Sequence, residues 1–166
     1  MLKIWGRVNS VNVKKALWCA EELGLKYERV DAGMQFGVTK TPEYLRMNPN
    51  SLVPTIEDDG FVLWESHTIV RYLAAKHGMG RLYPADLKAR ADAERWMDWA
   101  FTFQRAMRDV FWGLIRTPAE KRDAKAIEEG RGHRQLMKTK RPHEDQPRAA
   151  SKPPRVCLSP CPSSGS

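Results

Sequence analysis

The chain has 166 residues and a formal net charge of +8, enough for one ordinary domain or a small domain with part of another. Residues 131–166 carry 8 Lys/Arg against 2 Asp/Glu, whereas the first 130 carry 20 against 18. The folded part is therefore nearly neutral, which argues against a nucleic-acid-binding face there. No apolar run approaches the ~18 residues of a membrane span, and "MLKIWGRVNS" lacks the apolar core of a signal peptide. The 3 cysteines are too few and too scattered for a disulfide framework. These features predict a cytoplasmic protein without membrane or nucleic-acid partners.

"LKIW" reads as a short strand ending at Gly6, followed by the loop "RVNSVN". Val13, Ala16, Leu17, Ala20 and Leu23 then recur at helical spacing, and Gly24 closes the helix. "KYERVD" suits a second strand. Strand, helix, strand predicts a parallel βαβ unit. Residues 32–52 are loop-rich, with a short helix expected around Pro42–Met47. "PTIED" and "FVLWE" flank Asp58-Asp59-Gly60, a hairpin signal. From Ser66 the pattern is helical again, with Ile69, Val70, Leu73 and Ala74 in one stripe and Gly78 at its end.

"GMGRLYPAD" is a connector. A long helix is expected from about Asp86 to Arg116, where Thr117-Pro118 stops it. Trp96, Met97, Ala100, Phe103, Met107, Phe111 and Leu114 form its apolar face, broad enough to require burial on more than one side. A second helix should run from Ala119 to about Arg131. Composition then changes: the last aromatic is Trp112, and 6 of the 11 prolines lie in residues 131–166. That is the composition of a disordered basic tail, expected over 132–166. Cys19 sits in the first helical pattern and reads as a core thiol. Cys157 and Cys161 lie in a Pro/Ser segment without further metal ligands, so no metal site is expected.

Three stretches can carry chemistry. Pro54 stands between the apolar loop Leu52-Val53 and a strand. An X-Pro bond accepts the cis isomer; a cis Val53-Pro54 bond would leave the Val53 backbone outside the sheet, as an edge for a peptide-like ligand. The alternative is a trans proline that starts an edge strand. Glu65-Ser66 lies at a strand-to-helix junction. Ser66 could simply cap the helix, with Glu65 near its positive end. It could instead hold a ligand carboxylate with the helix N–H groups while Glu65 pairs with an ammonium. Ser10 precedes the first helix. There it could cap, as could Asn12, or its hydroxyl could stabilise a bound thiolate and lower its pKa. Ser10 has no His-Asp arrangement with it and does not read as a hydrolase nucleophile.

Taken in order, "GRVNSVNVKKALW", "TPEYLRMNPN" and "NSLVPTIEDDGFVLWES" make the chain resemble the glutathione transferases, in their bacterial theta-like, serine-type branch. The resemblance covers residues 1 to about 130. It implies an α/β fold: a thioredoxin-like N-terminal domain over 1–79, of order βαβαββα with a mixed sheet, then an incomplete all-helical domain over 86–131, whose long helix would be only partly covered and would expose apolar surface between Trp96 and Leu114. It implies glutathione as co-substrate, a small electrophile as its partner, and a homodimer. Val53 would pair with the cysteinyl portion of glutathione beside a cis Pro54. Glu65 and Ser66 would hold the γ-glutamyl head, and Lys40 the glycyl carboxylate. Ser10 would face the sulfur, with Asn9 or Asn12 as substitute donors. The second substrate would lie near Phe103, Met107 and Phe111. The thioredoxin Cys-x-x-C pair is missing, so exchange by two protein thiols is not expected. A glutathione-dependent disulfide reductase and a non-catalytic binding module are the competing readings.

Overall fold

The computed structural model describes residues 1–139. The first strand, β1, is Leu2–Trp5. It is followed by helix α1 (Val11–Glu22), strand β2 (Tyr27–Val30) and helix α2 (Pro42–Met47). Strands β3 (Thr55–Asp58) and β4 (Phe61–Trp64) and helix α3 (Ser66–Gly78) complete the layer. The sheet order is β2-β1-β3-β4, with β1 parallel to β2 and antiparallel to β3, and β3 antiparallel to β4. This is the expected mixed-sheet βαβαββα arrangement.

Alternation along β1 sorts the two faces. Leu2 and Ile4 join a core with Ala16, Cys19 and Ala20 of α1, Ile56 of β3, and Ile69, Leu73 and Ala74 of α3. Trp5 points to the other face and meets Tyr44 of α2 edge-on, ring centroids 6.0 Å apart. Gly6 is where β1 hands over to α1. A side chain there would meet Val13 Cγ2 at 2.4 Å, so only glycine lets the helix come so close. The hairpin turns through Asp59 (φ 49°) and Gly60 (φ 86°), two successive left-handed residues of the kind that match strand twist.

Helix α4 (Leu87–Ala106) follows. The first compact unit spans Met1–Gln104, so its end falls inside α4 and later than the expected boundary near residue 80. Polar ties explain that. Arg71 bonds Asp98 and approaches Glu94 at 3.8 Å, and the Tyr83 hydroxyl bonds Glu94. His67 packs on Phe101 with ring centroids 4.5 Å apart. The apolar face that calls for burial on more than one side is only partly covered, as expected where the helical part is incomplete: none of its residues is buried. Trp96, Trp99, Phe101 and Phe103 are all exposed; Trp99 meets Trp96 edge-on and stacks on Phe103.

The second unit begins at Arg105. The expected single helix to Arg116 is interrupted at Met107 (φ −90°, ψ 0°) and resumes as α5 (Arg108–Phe111) and a π turn over Trp112–Arg116. Gly113 in that turn and Gly130 of the last helix are both contact points. A side chain on Gly113 would meet Ile127 Cγ1 at 2.6 Å, and one on Gly130 would meet Val110 Cγ2 at 2.5 Å. The last helix, α6, is Ala124–Thr139, entered through Asp123, whose carboxylate accepts from the Ala126 N–H at 3.0 Å. It therefore starts after Ala119 and continues past Arg131, through residues expected to be tail; the rest of the expected tail, 140–166, lies outside the described residues. Among the described residues, no helix is long and apolar enough to cross a membrane and no group of side chains could hold a metal ion.

One buried carboxylate makes a pH test possible. Asp58 is 7% exposed and accepts from Lys76 Nζ at 2.6 Å and the Tyr72 hydroxyl at 2.8 Å. Burial by itself pushes its carboxyl up, but the bonds from Lys76 and Tyr72 outweigh it and hold the group below its usual range. A depressed folded-state pKa stabilises the fold above the unfolded value of about 3.9 and is lost as pH falls through the folded one. Asp58→Asn should therefore lower the urea midpoint at pH 5–7, and the gap to wild type should narrow as pH falls below the unfolded value of about 3.9. A gap of equal size at all pH values would refute the assignment.

Candidate functional site

Three helices of the first unit begin differently. Ser10 caps α1, its hydroxyl accepting from the Val13 N–H at 3.5 Å. Thr41 caps α2, accepting from the Tyr44 N–H at 3.3 Å. At α3 the cap position is Glu65, whose side chain makes no capping bond. Ser66 is the first helical residue rather than the cap. The first-turn N–H groups of α3 thus end in no side-chain acceptor, which leaves a local concentration of donors and partial positive charge.

Glu65 is held at φ 73°, ψ 111°, a conformation unusual for any residue with a side chain. Such strain persists only where the surroundings over-determine it, and it concentrates at ligand sites. The exposed Glu65 carboxylate and the buried Ser66 are presented together at the end of β4.

The opposite wall is the loop from α2 to β3. The Val53-Pro54 bond is cis. Strand pairing stops at Thr55, so Val53 lies outside the ladder. A buried polar cluster fixes this loop. Asn48 Nδ2 donates to the Leu52 carbonyl and to Thr55 Oγ1, both at 3.0 Å. The Tyr44 hydroxyl donates to the same carbonyl at 2.6 Å and lies 2.8 Å from Thr55 Oγ1. Asn48 Oδ1 accepts from the Asn50 N–H at 3.0 Å. Burial pushes the Tyr44 hydroxyl up in pKa, which keeps it a proton donor at neutral pH.

Asn12, Asn48, Asn50, Leu52, Val53, Pro54, Glu65 and Ser66 line one cavity of about 40 Å³. That is room for one small polar group, so a larger ligand would lie across the cavity with a single group inserted. Of the sequence-predicted residues, Asn12, Val53, Pro54, Glu65 and Ser66 converge here. Ser10 is buried at its cap and is not part of the lining. Asn9 and Lys40 are exposed and stand outside the lining. Asn48 was not anticipated, although a polar residue directly after a helix in "NPN" is a visible signal for a turn-fixing side chain. A second, larger cavity of about 580 Å³ lies along α1, α3 and the early part of α4. It is lined mainly by apolar side chains such as Trp18, Val70, Leu82 and Trp96, with Lys15 and His67 among its few polar groups.

Cys19 is the one cysteine among the described residues, and it is buried. Burial pushes its thiol up, away from reactivity. Any thiolate chemistry at this site therefore requires a sulfur brought by a ligand.

The fold and this junction define a thioredoxin-like domain of the glutathione S-transferase type. The family model described as the N-terminal domain of glutathione S-transferase matches residues 1–75. The chain is 51% identical over 131 residues to glutathione S-transferase GstB of Escherichia coli strain K12, covering 77% of this chain and 63% of that protein. It also matches the crystal structure of a theta class glutathione S-transferase from Xanthomonas axonopodis pv. citri with glutathione bound. There the identity is 48% and the TM-score 0.78, over 83% of this chain and 68% of that one. A probable elongation factor 1-gamma 2 of Arabidopsis thaliana is 41% identical over 87 residues, 52% of this chain and 21% of that protein. The chain belongs to the glutathione S-transferase family, and it spans less than two thirds of the E. coli protein's length.

The backbone at residue 65 yields a direct test. Glycine takes the positive φ without strain, alanine does not. Glu65→Gly should be more stable than Glu65→Ala by about 1–2 kcal/mol in urea unfolding. Equal stability of the two would show that residue 65 is not strained.

Proposed function

We propose that the protein is a glutathione transferase. The observation that carries this reading is the convergence, in one cavity, of the Val53 backbone beside a cis Pro54, the strained Glu65, and Ser66 on a helix start without a capping side chain. Each accounts for one part of the same ligand. The Val53 edge matches the peptide backbone of a cysteinyl residue. The Ser66 hydroxyl and α3 N–H groups match a carboxylate, and Glu65 matches an ammonium. An amino-acid head joined to a thiol-bearing peptide has this pattern, and glutathione is that molecule.

In the reaction the glutathione thiolate attacks an electrophilic carbon. A carbon–sulfur bond forms, and a leaving group such as halide departs with its electron pair. The protein binds the tripeptide and favours the thiolate over the thiol. Donors at the start of α1 suit that role, with Asn12 at the cavity wall and the Ser10 hydroxyl at the cap. Lys40 has the charge for the glycyl carboxylate, at a greater distance from the cavity. A cytoplasmic location and a homodimer fit the family and belong to this proposal. The buried Cys19 favours transfer over disulfide exchange by protein thiols. A binding module without turnover is the second reading, because the chain spans only part of its relatives and one relative bears an elongation-factor name.

Two measurements separate these outcomes. Ser66→Ala should weaken glutathione binding by about 1–3 kcal/mol in calorimetry, the cost of unpairing a charged acceptor. Unchanged affinity would remove Ser66 from the site. Ultraviolet titration of bound glutathione should show the thiol pKa raised in Asn12→Ala and in Ser10→Ala, with affinity little altered. A residue whose replacement leaves that pKa unmoved is not a sulfur donor. Glutathione binding with an unperturbed thiol and no aryl-halide turnover would favour the binding module.

A further inference from the structure

Asn12 and Lys15 are three residues apart on α1 and therefore share a face. Lys15 Nζ lies 3.1 Å from Asn12 Oδ1 and 2.8 Å from His67 Nε2. An ammonium has donors only, so the Asn12 atom facing it must be the carbonyl oxygen. That fixes which end of the amide is which: the oxygen faces Lys15 and the NH₂ end does not, and Asn12 is one of the residues that line the cavity. The same logic fixes His67. Its Nε2 accepts from Lys15, so its proton sits on Nδ1.

His67 is 5% exposed, and Nδ1 makes no hydrogen bond; the Met97 backbone is the polar group beside it. Burial, then the charges of Lys15 and Arg71, keep the ring neutral against the opposing pull of Asp98. A neutral acceptor seated in a packed position is what the ammonium needs behind it. Burial also pushes the Lys15 pKa down, with the Glu65 carboxylate working the other way. Lys15 thus stands between the buried His67 on α3 and the two cavity residues Asn12 and Glu65.

We propose that Lys15 is a positioning residue for thiolate formation, holding the Asn12 amide by its oxygen so that its two N–H groups face the sulfur, with His67 bracing Lys15 from behind. The proposal rests on the transferase reading for the identity of the sulfur, but the side-chain geometry stands without it. Lys15 contributes order at the amide and a nearby positive charge. It does not touch the ligand. Without it, the amide can rotate and offer its oxygen to the sulfur, which repels a thiolate.

The test compares Lys15→Met, Lys15→Arg, Asn12→Ala and the Lys15→Met/Asn12→Ala double variant, each checked for a native amide spectrum. In the ligand-free protein, the side-chain NH₂ resonances of Asn12 (identified by their loss in Asn12→Ala) should shift and exchange faster in Lys15→Met. If they do not change, Lys15 does not orient Asn12 and the proposal falls. With glutathione bound, Lys15→Met should raise the thiol pKa by about half a unit or more, as expected when a nearby cation and an oriented donor are lost. The double variant should shift no further than the larger single, since residues acting through one another are non-additive. Lys15→Arg, which keeps a cationic donor, should recover part of the shift. Full additivity, or an unmoved thiol pKa in Lys15→Met, overturns the proposal. If the wild type fails to bind glutathione, the transferase reading is lost, and the amide resonances alone decide the Lys15–Asn12 link.

Discussion

The site depends on a hydrogen-bond cluster buried under its floor. Tyr44, Asn48 and Thr55 are each 2% exposed or less, and between them they hold the Leu52 carbonyl from two sides. The donors are buried, and leaving a buried donor without a partner costs about 1–3 kcal/mol, so Tyr44 and Asn48 have a strong reason to keep the Leu52 carbonyl turned toward them. With Leu52 fixed and the ladder starting at Thr55, Val53 and Pro54 have nowhere to go but the cavity wall. Helix α2 is thus more than a cover for the sheet. It carries Tyr44 and ends at Asn48, two of the three side chains that set the loop.

Across the cavity the constraint is backbone strain rather than polar satisfaction. β4 must leave the sheet and α3 must start at once, so Glu65 turns through a positive φ. The turn leaves the helix start without a capping side chain, while α1 and α2 keep theirs. Ordinary folding would favour a serine or aspartate at that cap, worth about 1 kcal/mol. Placing Glu65 there and Ser66 one residue later gives up that stability and leaves the helix start without a capping side chain. That exchange is expected of a binding site and unexpected of a purely structural turn.

The helical part shows the opposite situation. α4 is aromatic on one side, yet none of its residues is buried, and ion pairs to Arg71 with aromatic contacts hold its early turns to the first unit. The apolar cavity beside it has Trp18 on its rim at 70% exposure. A surface of this kind is larger than single exposed hydrophobics, which are normal on any protein. In the second unit, α5, the π turn and α6 pack through Val110, Gly113, Ile127 and Gly130, where two glycines make close approach possible.

The local signals were enough for the α/β layer. Period-2 and period-3.6 patterns, Gly24, the Asp-Gly turn and Gly78 place nearly every element within a residue or two, because these short elements follow local backbone preferences. The motifs also marked Val53, Pro54, Glu65 and Ser66. Three things needed the tertiary structure. Ser66 reads as a cap until the strained Glu65 takes that place, since strain is imposed by the chain on both sides. Asn48 and Lys15 look like ordinary polar residues, because their partners Thr55 and His67 lie 7 and 52 positions away in sequence. The third is the cover on α4, since an apolar face shows only that a helix can be covered. Whether it is covered depends on which other elements the folded chain brings against it.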